Sequence, residues 1–447
     1  MLSSALMIAA LALPSSAAAS EPGQTVETRI NSWLAAPMDW PFWRGPEQNG
    51  VSRETGLVDR WDPDGGEGSN LLWKREDLGG RSTPIVMNGR LYTIVRDQPR
   101  TPQEGEKVVC LDAATGETIW ENRFNVYLSA VPDTRVGWSS VVGDPTTGNV
   151  FALGVADLFL CIDGETGKTL WTHALSEEYG MLNTYGGRTN YPTIHGNLVI
   201  VNGVCINWGD RAKPAHCFIA FDKRNGVPVW FDSTRPLPDD TTYSSPILTV
   251  LDGQPAMVFG SGDGGFHAKQ PQTGKTIWTY DASMRGINTT PLVVDGVVYG
   301  GHSEENVDIK TLMGAVFAVD GTQTGDVTKE GEIWRVTEKA LGRIQPIMVD
   351  GKLIAIEDGG NLLVIDPKTG KQLNKRFKVG RMQRASPIYA DGKIYTADAN
   401  GICMILKLGD DGSVEKLHQV RLDGEAYGSP IVSHGRIYLP TTTALFC

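Results

Sequence analysis

The feature that most constrains this chain is a unit that returns along most of its length. Each copy opens with Ser-Pro or Thr-Pro, runs through a short apolar strand and a Gly-centred turn, and continues with an alternating strand. A third strand then ends near Asp-x-x-Thr-Gly, and a fourth carries Trp. TPIVMNGRLYTIV followed by KVVCLDAATGETIW is the clearest copy, ending at Trp120. Further copies end at Trp171, Trp230, Trp278 and Trp334; LLVIDPKTGKQLN has Asn374 at the Trp position, and SPIYADGKIYTADANGICMILK opens a seventh. Alternation of apolar and polar residues in GRLYTIV, GKIYTAD and GRIYLP is the period of a half-buried strand. Gly116, Gly167, Gly226, Gly274 and Gly370 fall where a tight hairpin needs positive φ. The recurring Pro opens a strand, where its missing N–H breaks no ladder.

Counted from Trp73 through Trp334, the Trp residues of successive repeats (73, 120, 171, 230, 278 and 334) lie 47 to 59 positions apart. That length holds about four strands, one blade of a propeller. The chain finishes with SPIVSHGRIYLPTTTALFC, three strands without a fourth, and begins its repeats with NLLWKRE, a Trp strand without the preceding three. Joined, the two make one blade, which leaves the ring no free edge. The expected fold is therefore an all-β, eight-bladed propeller of four-stranded antiparallel blades over residues 70–447, its last blade shared by both termini. Residues 1–20 read as a signal peptide and 21–69 as an N-terminal segment leading into the ring.

Charge and leader bound the setting. With 41 basic against 52 acidic residues the net charge is −11. A surface of that sign does not neutralise phosphates, so nucleic acid is an unsuitable partner. MLSSALMIAALALPSSAAAS is apolar, ends in small residues and is too short to span a bilayer, as a secretory signal is. The first Cys is Cys110, far from any lipid-attachment position. The expected product is exported, soluble in the periplasm or envelope, neither a lipoprotein nor an integral membrane protein.

These repeats resemble the PQQ-like, quinoprotein-type propeller family, whose members include quinoprotein alcohol dehydrogenases and BamB-type outer-membrane assembly factors. DWPFWRGPEQNGVSRETGL, ahead of the ring, looks like the opening of exported propellers in that family. The enzyme branch stacks its cofactor on adjacent cysteines; here no two of six cysteines adjoin, and no C-x-x-C-H offers haem attachment. The resemblance therefore implies a non-catalytic scaffold with protein partners in the envelope and no cofactor. The alternative is a PQQ- and Ca²⁺-dependent alcohol or sugar oxidoreductase. A single fold supports both.

Length variation gathers on one face. The second-to-third-strand loops at 96–106, 207–215 and 302–312 are expanded, while the opposite turns stay short, which marks a working face. Residues just before each Ser/Thr-Pro should rim the channel on that face. Arg81, Tyr243, Arg343, Arg384 and Tyr427 stand three before Pro; Arg188, Arg285, Trp138 and Tyr191 lie on equivalent loops. Together they form a candidate mouth for a small anionic ligand, arginines supplying bidentate hydrogen bonds and Trp138 and Tyr191 flat surfaces. No catalytic residue and no metal-ligand set stands out. Cys110, Cys161 and Cys447 share a repeat position with Ala220, Ala268 and Ala318 and read as buried structural thiols. Cys205 and Cys217 flank one loop, and their pairing stays open.

Overall fold

The computed structural model describes residues 35–126, 135–181, 190–205, 215–236, 238 and 242–447. The apolar leader, most of loop 207–215 and Arg188 lie outside them. Eight antiparallel sheets follow one another, each ordered from inner to outer strand along the chain. Blade 1, for example, comprises Ile85–Met87, Arg90–Asp97, Gly105–Asp112 and Thr118–Asn125. In blade 8, Ile431–Ser433, Arg436–Pro440 and Leu445–Phe446 come from one end of the chain and Lys74–Arg75 from the other. Lys74 pairs with Phe446 and Arg75 with Leu445, so the two ends close the ring.

Each repeated Trp docks on the next blade. The indole N–H of Trp120 donates to the Gly164 carbonyl at 3.1 Å, that of Trp171 to Lys223 at 3.2 Å and that of Trp334 to Pro367 at 2.8 Å. The turn glycine meets the ring itself: a Cβ on Gly167 would lie 2.6 Å from Trp120, and one on Gly226 2.9 Å from Trp171. Trp73 meets Gly116 in the same way, so the closing junction keeps the ring-on-turn packing, but its buried indole N–H has no hydrogen-bond partner.

Blade 7 departs for a topological reason. Blade 8 takes its third and fourth strands from opposite ends of the chain, so it has no hairpin there to receive a Trp. His418 stands at that position, opposite Ile405, and donates from Nε2 to the Trp61 carbonyl at 2.7 Å. Trp61 packs edge-on to Phe446 at 5.7 Å. The N-terminal segment thus fills the gap.

Cys110 and Cys161 sit directly opposite Trp120 and Trp171, as Ala220, Ala268 and Ala318 sit opposite theirs, all fully buried. Burial pushes the Cys110 thiol up to about 12, which keeps it unreactive. Register places Cys205 against Ala215 and Cys217 against Gly203, a diagonal relation between two buried side chains. Among the described residues no helix is long and apolar enough to cross a membrane.

Candidate functional site

The channel differs at its two ends. At the short-turn end the N-terminal segment crosses it. Trp40 exchanges backbone bonds with Val86 of blade 1 at 2.8 and 3.0 Å, and the Pro41 carbonyl accepts from Gly143 of blade 2 at 2.9 Å. Trp43 lies 4.9 Å from the Tyr191 ring of blade 3, and Gln48 accepts from the Leu248 N–H of blade 4 at 2.9 Å. The Gly50 carbonyl and the Ser52 N–H bond Tyr389 of blade 7 at 2.9 and 2.8 Å. Arg44 is 1% exposed, donating from Nε to Gln345 Oε1 at 2.7 Å and from Nη2 to the Pro387 carbonyl. Burial lowers its guanidinium to about 9.

Just above this plug runs a ring of Ser and Thr hydroxyls, at the start of six of the eight inner strands. Thr83 N–H donates to Ser140 Oγ at 2.8 Å, Tyr191 N–H to Ser245 at 3.3 Å and Ser245 N–H to Thr290 at 3.0 Å. The Gln345, Ser386 and Ser429 N–H groups continue it to Ser386, Ser429 and Thr83, at 2.9, 2.9 and 2.8 Å. Two of the eight positions lack a hydroxyl of this kind, Tyr191 and Gln345. They are the two that receive Trp43 and Arg44. The plug's seat is written into the ring by substitution at those positions.

At the loop-rich end the mouth is rimmed by arginines and aromatics. Arg81 lies 4.8 Å from the Tyr427 ring and 5.8 Å from Trp138. Trp138 is 4.8 Å from Tyr427 and 5.9 Å from Tyr243. Arg343 lies 5.0 Å from Tyr243. Arg384 donates to the Gln383 carbonyl at 2.8 Å, and burial together with the charge of Arg343 holds its guanidinium below the ordinary value. Asp358 faces both; burial pushes its carboxyl up while Arg384 and Arg343 pull it down. Glu425 approaches Arg81 at 3.6 Å.

Six of the nine sequence-picked residues therefore converge: Arg81, Trp138, Tyr243, Arg343, Arg384 and Tyr427. Two go elsewhere. Tyr191 belongs to the hydroxyl ring and packs on the plug, and Arg285 pairs with Glu305 at 2.9 Å. Arg188 is outside the described residues. The expected flat surfaces are also not open: Trp43 covers Tyr191, and Arg135 lies 4.4 Å from the Trp138 ring. Arg135, which also lies 5.5 Å from Tyr243, escaped the sequence reading. Blade 2 has Val141 where other blades have Pro, so the signature that pointed to the neighbouring loops was missing there.

The fold and its plugged channel define a closed, quinoprotein-type propeller. Residues 54–136, 105–370 and 244–446 match the family described as outer membrane protein assembly factor BamB. The chain belongs to that family. A BamB from Yersinia pestis is 25% identical over 292 residues, covering 64% of this chain and 68% of that protein. The crystal structure of BamB from Moraxella catarrhalis superposes with a TM-score of 0.57 at 15% identity, covering 84% of this chain and 98% of that one. Quinohemoprotein alcohol dehydrogenase from Comamonas testosteroni superposes with a TM-score of 0.65 at 14% identity, covering 94% and 82%. At such identities these two solved structures speak to the fold alone.

The quinone cofactor of the enzyme branch fits this mouth in part. Arginines suit its carboxylates, but the aromatic faces that would hold a flat ring are covered. Among the described residues no group of three His, Cys, Asp or Glu side chains gathers to hold a metal ion.

Proposed function

We propose that this protein is an exported, non-catalytic scaffold that holds protein partners in the cell envelope, in the role that its family's description names. One observation carries the reading. In every blade the residue just before the Trp position is apolar: Leu72, Ile119, Leu170, Val229, Ile277, Ile333, Leu373 and Leu417. In six blades it forms a β-bulge, two residues of the outer strand facing one of its neighbour, as between Cys110 and Leu111 in blade 1. The bulge turns the Trp toward the next blade and leaves its neighbour at the rim.

Seven of these side chains are 36 to 62% exposed. The eighth, Ile277, is 9% exposed, and there a segment of the chain itself has settled on the blade edge. Gly325–Asp326 pairs in parallel with Trp278 and Thr279, giving blade 4 a fifth strand. The molecule thus contains one occupied copy of a seat that it presents seven more times. Single exposed apolar residues are ordinary, but the same position exposed around a ring supports contact with partners.

The test is a double variant, Leu170→Lys with Ile333→Lys. Both sites are exposed, so each change should alter stability by no more than about 0.5 kcal/mol. Co-purification of envelope partners should drop well below the wild-type level, and partners retained in full would remove the reading. The oxidoreductase alternative, with PQQ and Ca²⁺, rests on the arginines at the mouth. Alcohol-dependent dye reduction by the purified protein, after incubation with both, would revive it.

A further inference from the structure

We propose that the channel mouth is a binding cage for carboxylates, taking a ligand that presents at least two of them. The inference deepens the scaffold reading by naming the chemistry one face recognises, and it rests on that reading only for the source of the carboxylates. Four guanidinium groups meet here, those of Arg81, Arg135, Arg343 and Arg384, against two nearby carboxylates among the described residues, Asp358 and Glu425. Cationic clusters in folded proteins are ordinarily balanced by acidic partners. This one is held instead by aromatic faces: Tyr427, Trp138 and Tyr243 each lie within 5.0 Å of a guanidinium carbon.

A guanidinium stacked on a ring keeps its N–H edge free, because the donors lie in the plane of the group. The buried Nε atoms of Arg81 and Arg135 accordingly have no hydrogen-bond partner. Unmet donors in one cluster, where the charge of Arg343 also bears on Arg384, are the complement of an anion bearing several oxygens. The occupied ring faces decide the kind of anion. They are closed to a planar ring, while guanidinium edges carry the paired N–H donors that carboxylates accept bidentately. The plug seals the opposite end, so the ligand enters and leaves through the mouth. Against a net charge of −11, a cluster of four arginines is a local site of attraction for acidic groups.

Two sources share this chemistry: acidic side chains on a protruding segment of a protein partner, and a free small oligocarboxylate. Titration with hexaglutamate and with citrate separates them, read by calorimetry. We expect at least one probe to bind and its affinity to weaken as salt is raised. It should fall at least tenfold in the Arg343→Gln, Arg384→Gln double variant, with Arg285→Gln unchanged because Arg285 is paired outside the cage.

Binding of hexaglutamate alone assigns the site to a partner's acidic segment, and binding of citrate alone to a free metabolite. Should the double variant unfold, Arg343→Lys with Arg384→Lys keeps the charge, loses the planar fork and should bind several-fold more weakly. No heat with either probe, or affinity unchanged in both double variants, overturns the cage. The rim variants at Leu170 and Ile333 leave the mouth intact, so failure of the scaffold reading would show there and not here.

Discussion

At the scale of single residues the turn glycines do two things at once. Gly167 takes φ +74° and also lets the Trp120 ring lie flat on the turn. A methyl group meets both obstacles, left-handed strain and overpacking. Gly167→Ala should therefore destabilise by about 2–4 kcal/mol, checked by denaturant unfolding. Gly89, also at positive φ but with nothing within 4 Å of the added carbon, should lose only about 1 kcal/mol on the same change.

Glu106 gives a second residue-level expectation. It is fully buried in blade 1 and accepts backbone N–H bonds from Gly137 at 2.7 Å and Val155 at 2.9 Å. Burial pushes its carboxyl up to about 7, with the two N–H bonds pulling the other way. Because the folded value lies above the unfolded one, the native state holds a proton that the unfolded chain has released. Stability should fall between about pH 4.5 and pH 7, by on the order of 3 kcal/mol, and then level off. Glu106→Gln should lack that slope while starting from a lower stability, since its amide cannot accept from both N–H groups. Thermal midpoints across the pH range decide it.

At the scale of the element, the inner strands show what sequence reading reaches and where it stops. The residue three before Pro is the position that converges at the mouth in six of the eight blades. The six convergent residues all occupy that position, counting Val141 as blade 2's Pro. Tyr191, one before Pro, and Arg285, six before, break the count and go elsewhere. The hydroxyl ring was present in the same letters but carried no signal, because Ser and Thr beside Pro are also ordinary turn residues. Its meaning needs the neighbouring blade, which only closure supplies. The bulges were invisible for a similar reason: one extra residue in an outer strand leaves the apolar pattern almost intact.

Ser386→Ala removes the acceptor of the Gln345 N–H while leaving Gln345 bound to Arg44. We expect a loss of about 1–3 kcal/mol from the orphaned buried donor, measured by chemical denaturation. Ser413 is exposed, away from the ring, and Ser413→Ala should lose no more than about 0.5 kcal/mol.

At the scale of the molecule, eight blades, closure by both termini and blade order were legible because the Trp and the turn glycine recur as a linked pair. What the N-terminal segment does was not legible. It plugs the channel and braces blades 7 and 8, and neither task has a periodic signature. Closure rests on Trp73 packing against its turn glycine as its counterparts do, without their indole hydrogen bond. Trp73→Ala should destabilise by about 2–4 kcal/mol, close to Trp120→Ala, and both should lower the midpoint of one cooperative transition. A separate early transition in the Trp73 variant would show that blade 8 is merely appended.

The central claim is that this ring works by holding partners at its blade edges. A photo-reactive residue placed in turn at Leu170 on the rim and at Lys368 on an exposed short turn, in living cells, tests it most directly. We expect the rim position to crosslink to a defined set of envelope proteins, with adducts lost when Ile333→Lys and Ile119→Lys are added, and Lys368 to give none of them. No adduct from Leu170, or the same adducts from Lys368, would contradict it.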